Sequence, residues 1–265
     1  MTALALPTPQ LVGSDILKLR KRRGLAVVVG VLTIVAVTLT YLIIQIFHWS
    51  NAAKYGVAGG VDNLGNGVNL ITMLGAAAAA IVGASAGAQD LDAGVYRDLV
   101  VTGRSRRSLF LSRLVGGLAY LLPFVVVAYA VAAVSSVVWA GDKPMPSVHL
   151  MTVTGLWALL SVSFYYVLAF GIACITGSRS YTIGILLAFR LALTPLAAAI
   201  GALGVVRELI PGVALANVAP DAFLKNFSPA GNVVTTSLSA AVVVLLVWTA
   251  LAFRFGMWRD THRDV

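Results

Sequence analysis

Charge is scarce in this sequence: only 11% of its 265 residues are Asp, Glu, Lys or Arg, against 59% hydrophobic residues. That balance excludes both an intrinsically disordered chain and an ordinary water-soluble globule. One cysteine, Cys174, excludes an intramolecular disulfide, and with only three histidines there is no Cys/His cluster spaced to hold zinc or an iron–sulfur centre. A nucleotide-cradling G-x-x-x-x-G-K-[ST] motif is missing too, so the chain is not expected to be an enzyme that hydrolyses ATP by itself. Acids are absent from the long apolar runs, which argues against a carboxylate proton relay or a sodium-coupling site. Histidines are equally absent there: His48 and His149 fall near loops and His262 in the C-terminal tail, leaving no general base within the apolar runs. Gly83-Ala-Ser-Ala-Gly87 matches G-x-S-x-G, but a nucleophile elbow needs a strand-to-helix turn, and Ser85 sits in an Ala-rich helical run.

What is present is hydrophobic length. The mean hydropathy is +0.92, and charge-free gaps separate Arg23 from Lys54, Asp62 from Asp90, Arg113 from Asp142, Lys143 from Arg179 and Lys225 from Arg254. Each exceeds the roughly 20 residues that carry a helix across a bilayer core. The spacing predicts an all-α, polytopic membrane protein with spans at about 25–47, 68–89, 114–139, 150–175, 181–203 and 235–255. Unbroken runs such as Leu25 to Val29 do not alternate in polarity as barrel strands do. The first apolar stretch is longer than a signal-peptide core, so it is expected to stay as a span.

The formal charge of +9 comes mostly from clusters between spans, which fits an anionic membrane surface and not nucleic acid. With the N-terminus inside, fourteen of the nineteen Lys and Arg fall on the cytoplasmic side and four outside, Arg190 being the remaining one. This bias predicts N-in, C-in topology. Trp49, Trp139 and Trp157 are expected at the outer interface and Trp258 at the inner one.

Four segments are more than simple spans. Residues 1–24 hold a stretch, Pro9 to Arg23, whose Leu11, Val12, Ile16, Leu17 and Leu19 share roughly one side of a helix opposite the cations, as in an interfacial helix; the alternative is a bare topogenic cluster with no ordered helix. Residues 90–113 form a mixed-charge cytoplasmic elbow, with a first helix carrying Val95, Leu99 and Val100, a break at Thr102-Gly103 and a second helix capped by Ser105. It is longer than helix connections usually are, which suits docking of a partner, a solvated positive-inside loop being the alternative. Residues 204–231 are expected as re-entrant or interfacial pieces at the outer end, and 256–265 as a cytoplasmic tail. In the second span Gly75, Ala79, Gly83 and Gly87 recur every four residues, a packing stripe within the subunit or against a partner. Arg190 is the one charge near mid-bilayer, and three readings are open: a cation lining a translocation path, a donor to neighbouring helices, or a snorkelling side chain.

In this arrangement the chain resembles the permease subunits of ABC-2-type exporters, in the bacitracin-export-like and drug-export-like branch. Ser14-Asp15-Ile16-Leu17-Lys18-Leu19-Arg20 looks like that family's connecting helix. Asp90, Gly94, Leu99, Thr102, Ser105, Arg106 and Arg113 follow the order of its signature between spans 2 and 3, and Ala219-Pro220 its Pro-bearing outer segment. Asp90 stands where the family more often has Glu, Val95 where it has Thr, and Gly103 where it has Pro. The resemblance implies an exporter subunit of the bacterial inner (plasma) membrane for a hydrophobic or amphipathic cargo. It implies that Asp90, Asp92, Gly94, Tyr96, Arg97 and Leu99 couple to a separate ABC ATPase, present in two copies. The chain itself would hold no cofactor, ATP and Mg belonging to the ATPase, and a second permease subunit, identical or related, would complete the complex. The competing reading is a non-transporting scaffold or sensory subunit that recruits a cytosolic partner.

Overall fold

The protein is described from a computed structural model covering residues 7–92, 94, 104–220, 223 and 234–262. Within these residues all regular structure is helical. A short helix, α1 (Pro9–Arg20), opens the chain. Six helices long and apolar enough to cross a membrane follow: α2 (Arg23–Ser50), α3 (Val61–Asp92), α4 (Arg106–Val138), α5 (Val148–Thr176), α6 (Arg179–Ala199) and α8 (Leu238–His262). Between the last two lie a 3₁₀ stretch, Gly201–Leu209, and a short helix α7 (Pro211–Asn217). This is the architecture of a multi-pass membrane protein.

Local chemistry sets most helix ends. Pro9 opens α1, where its missing N–H costs nothing, and Lys18 and Arg20 sit in the last turn, where the helix dipole favours cations. Ser105 and Ser147 cap α4 and α5, their hydroxyls accepting from the backbone N–H of Ser108 and Leu150. Gly177 closes α5 at φ +70°, its N–H donating to the carbonyl of Ala173. In α6 a π-turn spans Phe189–Leu193 just before Pro195, which lacks the N–H that would bond the Leu191 carbonyl; the Thr194 hydroxyl donates to the Phe189 carbonyl at 2.8 Å.

At the centre stand α3 and α5. A β-carbon at Gly75, Gly83 or Gly87 would come within 2.8, 2.7 and 2.6 Å of Val162, Ala169 and Ala173 respectively, all on α5. Ala79 between them is fully buried. The small-residue stripe therefore brings α3 against α5 of the same chain. A second close crossing joins α5 to α8 through Gly171 and Gly256. The helices α2, α6 and α8 flank this pair and turn most of their apolar surface outward, as helices solvated by lipid do.

Several boundaries differ from the hydropathy reading. Helix α3 runs to Asp92 and α4 begins at Arg106, so the connection expected over 90–113 reduces to 93–105. Hydropathy marks the apolar core, whereas these helices continue beyond it into polar surroundings. Helix α8 likewise extends to His262 through the segment expected as a tail, with Arg259 and His262 in its last turn. Trp157, expected at an interface, is buried, and its indole donates to the Leu215 carbonyl of α7 at 3.1 Å. Of the 204–231 segment, the described part includes α7, whose residues Pro211 to Ala216 are buried.

Candidate functional site: a charge cluster at the basic end and an arginine at mid-span

Helix α1, the end of α8, the ends of the 93–105 connection and the α5–α6 turn gather at one end of the bundle, here called the basic end. Helix α1 lies across α4 there, seated where Gly116 lacks a side chain: a β-carbon at that position would sit 3.0 Å from the Asp15 β-carbon. Its inward residues are Asp15 and Leu19, while Leu17, assigned by periodicity to an apolar face, is exposed. Asp15 accepts from the Ser112 hydroxyl at 2.8 Å and from the Lys18 ammonium at 3.0 Å. The same ammonium reaches Asp90 on α3 at 3.5 Å. Lys18 is thus shared between two buried carboxylates, one on α1 and one at the start of the elbow sequence.

Beside it sits a second, more deeply buried pair. Arg113 is 4% exposed and Asp260 fully buried, and Arg113 Nη2 donates to Asp260 Oδ2 at 2.7 Å. Arg113 also donates to the carbonyls of Gly87 on α3 and Leu109 on α4, each at 3.2 Å. Tyr166 of α5 donates to the Leu114 carbonyl at 2.9 Å. Arg106, in the first turn of α4, donates to the Thr261 carbonyl at 3.1 Å and so caps the end of α8. Three acceptors around the Arg113 guanidinium offset part of its cost of leaving water.

Of the residues assigned to ATPase coupling, Asp90 is turned into this cluster and not toward the surroundings. Asp92 ends α3. Gly94 has φ +68°, the left-handed conformation glycine adopts cheaply, with open space where a side chain would be. Tyr96, Arg97 and Leu99 lie outside the described residues, as do Val95, Val100, Thr102 and Gly103. Arg113 was visible in the sequence as a topogenic cation and as the last residue of the signature between spans 2 and 3, not as half of a buried pair. Its partner was legible in principle, because Ala252, Gly256 and Asp260 continue one four-residue stripe along α8.

Arg190 falls in the π-turn of α6, eleven residues from the start of that helix, about 16 Å at 1.5 Å per residue. Its guanidinium carbon lies 5.5 Å from the Tyr165 ring centroid, within cation–π range. Its Nε is buried and, among the described residues, has no hydrogen-bond partner. The Ser161 hydroxyl, on a residue only 2% exposed, is also unpartnered. Both line one small cavity together with Thr72 and Tyr165. Asp15, Asp90 and Asp260 at the basic end are bonded to Lys18, Ser112 or Arg113, and none of the three lines this cavity.

Against protein-family models and against curated proteins, the chain matches none.

Proposed function

We propose that this chain is the membrane-spanning permease subunit of an ATP-driven exporter of the ABC-2 type. In this reading the basic end faces the cytosol of a bacterial cell, and the connection around residues 93–105 receives force from a separate ATPase. Two ATPase copies and a second permease subunit complete the assembly, and a hydrophobic or amphipathic cargo passes through it.

The observation that carries the reading is how firmly both stems of the connection are tied to the bundle. On one side Asp90 is held by Lys18 and α3 is locked to α5 by the glycine stripe. On the other, α4 is bound to α8 by the Arg113–Asp260 pair and to α5 by Tyr166. A displacement imposed on either stem is then delivered to the helices of the membrane core. Such a push needs an external source, because the sequence holds no phosphate-binding loop.

Affinity purification of the tagged chain in mild detergent, followed by an ATPase assay of the eluate, tests this. The expected result is a co-purifying ATPase that is lost when Gly94 or Tyr96 is replaced by Glu. A partner without ATPase activity would point to the scaffold reading; no partner, or full retention and transport in both variants, counts against docking at this connection.

A further inference from the structure

We infer that Arg190 and Ser161 form the head-group subsite for an amphiphile carrying a carboxylate or phosphate, whose hydrocarbon tail lies in the apolar groove between α5, α6 and α8. The inference deepens the proposed function by naming the chemistry of the molecule taken up; the binding step itself requires no ATPase.

Two residues with unused donors line one cavity. Arg190, whose Nε is buried, and Ser161, whose hydroxyl is buried, border the same space, and among the described residues neither atom has a hydrogen-bond partner. A cation at this depth is costly to place, and the Tyr165 ring face offsets only part of that cost. Water would satisfy the donors' hydrogen bonds but leave the charge uncompensated. An oxyanion satisfies both.

Size narrows the head group. The polar cavity is about 10 Å³, room for one water-sized group. It therefore takes a single oxygen of a carboxylate or phosphate, not a sugar, ring or nucleotide. Further along α5 and α6 lies an entirely apolar groove of about 370 Å³, lined by Leu168, Ile172, Leu186, Phe189, Trp248 and others. Polar cavity and groove share their framework: Tyr165 and Leu168 are one turn apart on α5, and Phe189 and Arg190 are consecutive in the π-turn. The Phe189 and Trp248 rings stand 6.1 Å apart across the groove. One polar atom and a long apolar slot along the same helices match the shape of a single-chain anionic amphiphile.

The test uses the full chain in nanodiscs of phosphatidylcholine, titrated with radiolabelled dodecanoate and, separately, dodecanol. Dodecanoate is expected to bind at least tenfold more tightly. Arg190→Gln should erase that preference while leaving dodecanol binding unchanged, Arg190→Lys should keep part of it, and Ser161→Ala should reduce it several-fold. Equal binding of acid and alcohol by the unmodified chain, or a preference that survives Arg190→Gln, overturns the site. If Arg190→Gln does not fold, the Ser161→Ala and Arg190→Lys titrations decide alone, and an unchanged preference in both overturns it. Native mass spectrometry after purification from membranes rich in phosphatidylglycerol separates the sources. That lipid retained by the unmodified chain but absent from Arg190→Gln identifies a membrane lipid as the occupant; dodecanoate binding without retained lipid identifies a free amphiphile. Dodecanoate discrimination with no co-purifying ATPase would sink the exporter reading alone, and the converse result this subsite alone.

Discussion

Arg113 and Arg190 carry the same side chain into the same bundle and meet opposite surroundings. Arg113, at the basic end, has the Asp260 carboxylate at 2.7 Å and two backbone carbonyls within 3.2 Å. Arg190, at mid-span, has an aromatic face and a buried Nε with no acceptor among the described residues. A paired charge joins elements: it holds α4, α3 and α8 in one arrangement. An unpaired one in lipid stays unfavourable until something else supplies the anion, and that marks it as a place where a ligand gains most. The difference separates the framework from the working site.

The largest test of that contrast removes the paired side. Arg113→Ala or Asp260→Ala leaves a buried charge without its partner and should cost about 3–5 kcal/mol, seen as a lower unfolding temperature in detergent. A double replacement, Arg113→Met with Asp260→Leu, should recover much of the loss. If the double variant is as unstable as the singles, the pair is not what holds α4 to α8.

Arg190→Met should act with the opposite sign, raising the unfolding temperature of the ligand-free protein by as much as the roughly 2.5 kcal/mol of insertion cost it relieves. A drop as large as that of Arg113→Ala would mean that Arg190 is framework after all.

Smaller in reach is overpacking at the α3–α5 contact. Gly83→Val places atoms where a β-carbon alone would come within 2.7 Å of Ala169, and should destabilise by about 1–3 kcal/mol with no change in dodecanoate selectivity. Thermal melting and the binding titration, run on one preparation, separate the two effects. Least of all is Lys18→Ala: its side chain is 38% exposed, so solvent screening holds the stability effect to about 0–1 kcal/mol. Its expected consequence lies in coupling, as looser co-purification of the ATPase.

The six spans were legible because charge-free length is a signal that tertiary context does not override: a helix of that apolarity has nowhere to go but lipid or a core. The stripe at Gly75, Ala79, Gly83 and Gly87 was legible for a similar reason, though only the fold says that its partner is α5 of the same chain. Charge was harder to read. Asp15, Asp90, Arg113 and Asp260 looked like surface residues because they flank apolar runs, yet all four are buried. Hydropathy averages over a window and cannot see that helices extend past the apolar core, where a flanking charge faces a neighbouring helix instead of water. Trp157 misled in the same way: a tryptophan near a span end reads as an interfacial anchor, and here its indole is buried and holds α7. Arg190 stood out in the sequence by position alone, but its pairing with Ser161 in one cavity needed the π-turn and the α5–α6 contact, neither of which has a sequence signature of its own.

The most direct measurement of the proposed function is site-specific photo-crosslinking in native membranes, with the photoreactive residue placed at Tyr96 and, as a control, at Tyr55 on the opposite end of the bundle. The expected result is an adduct at position 96 whose peptides include a Walker A sequence, formed with a cytosolic ATPase and absent at position 55. An adduct at neither position, or an ATPase captured equally at both, would contradict the reading of this chain as a permease driven through that connection.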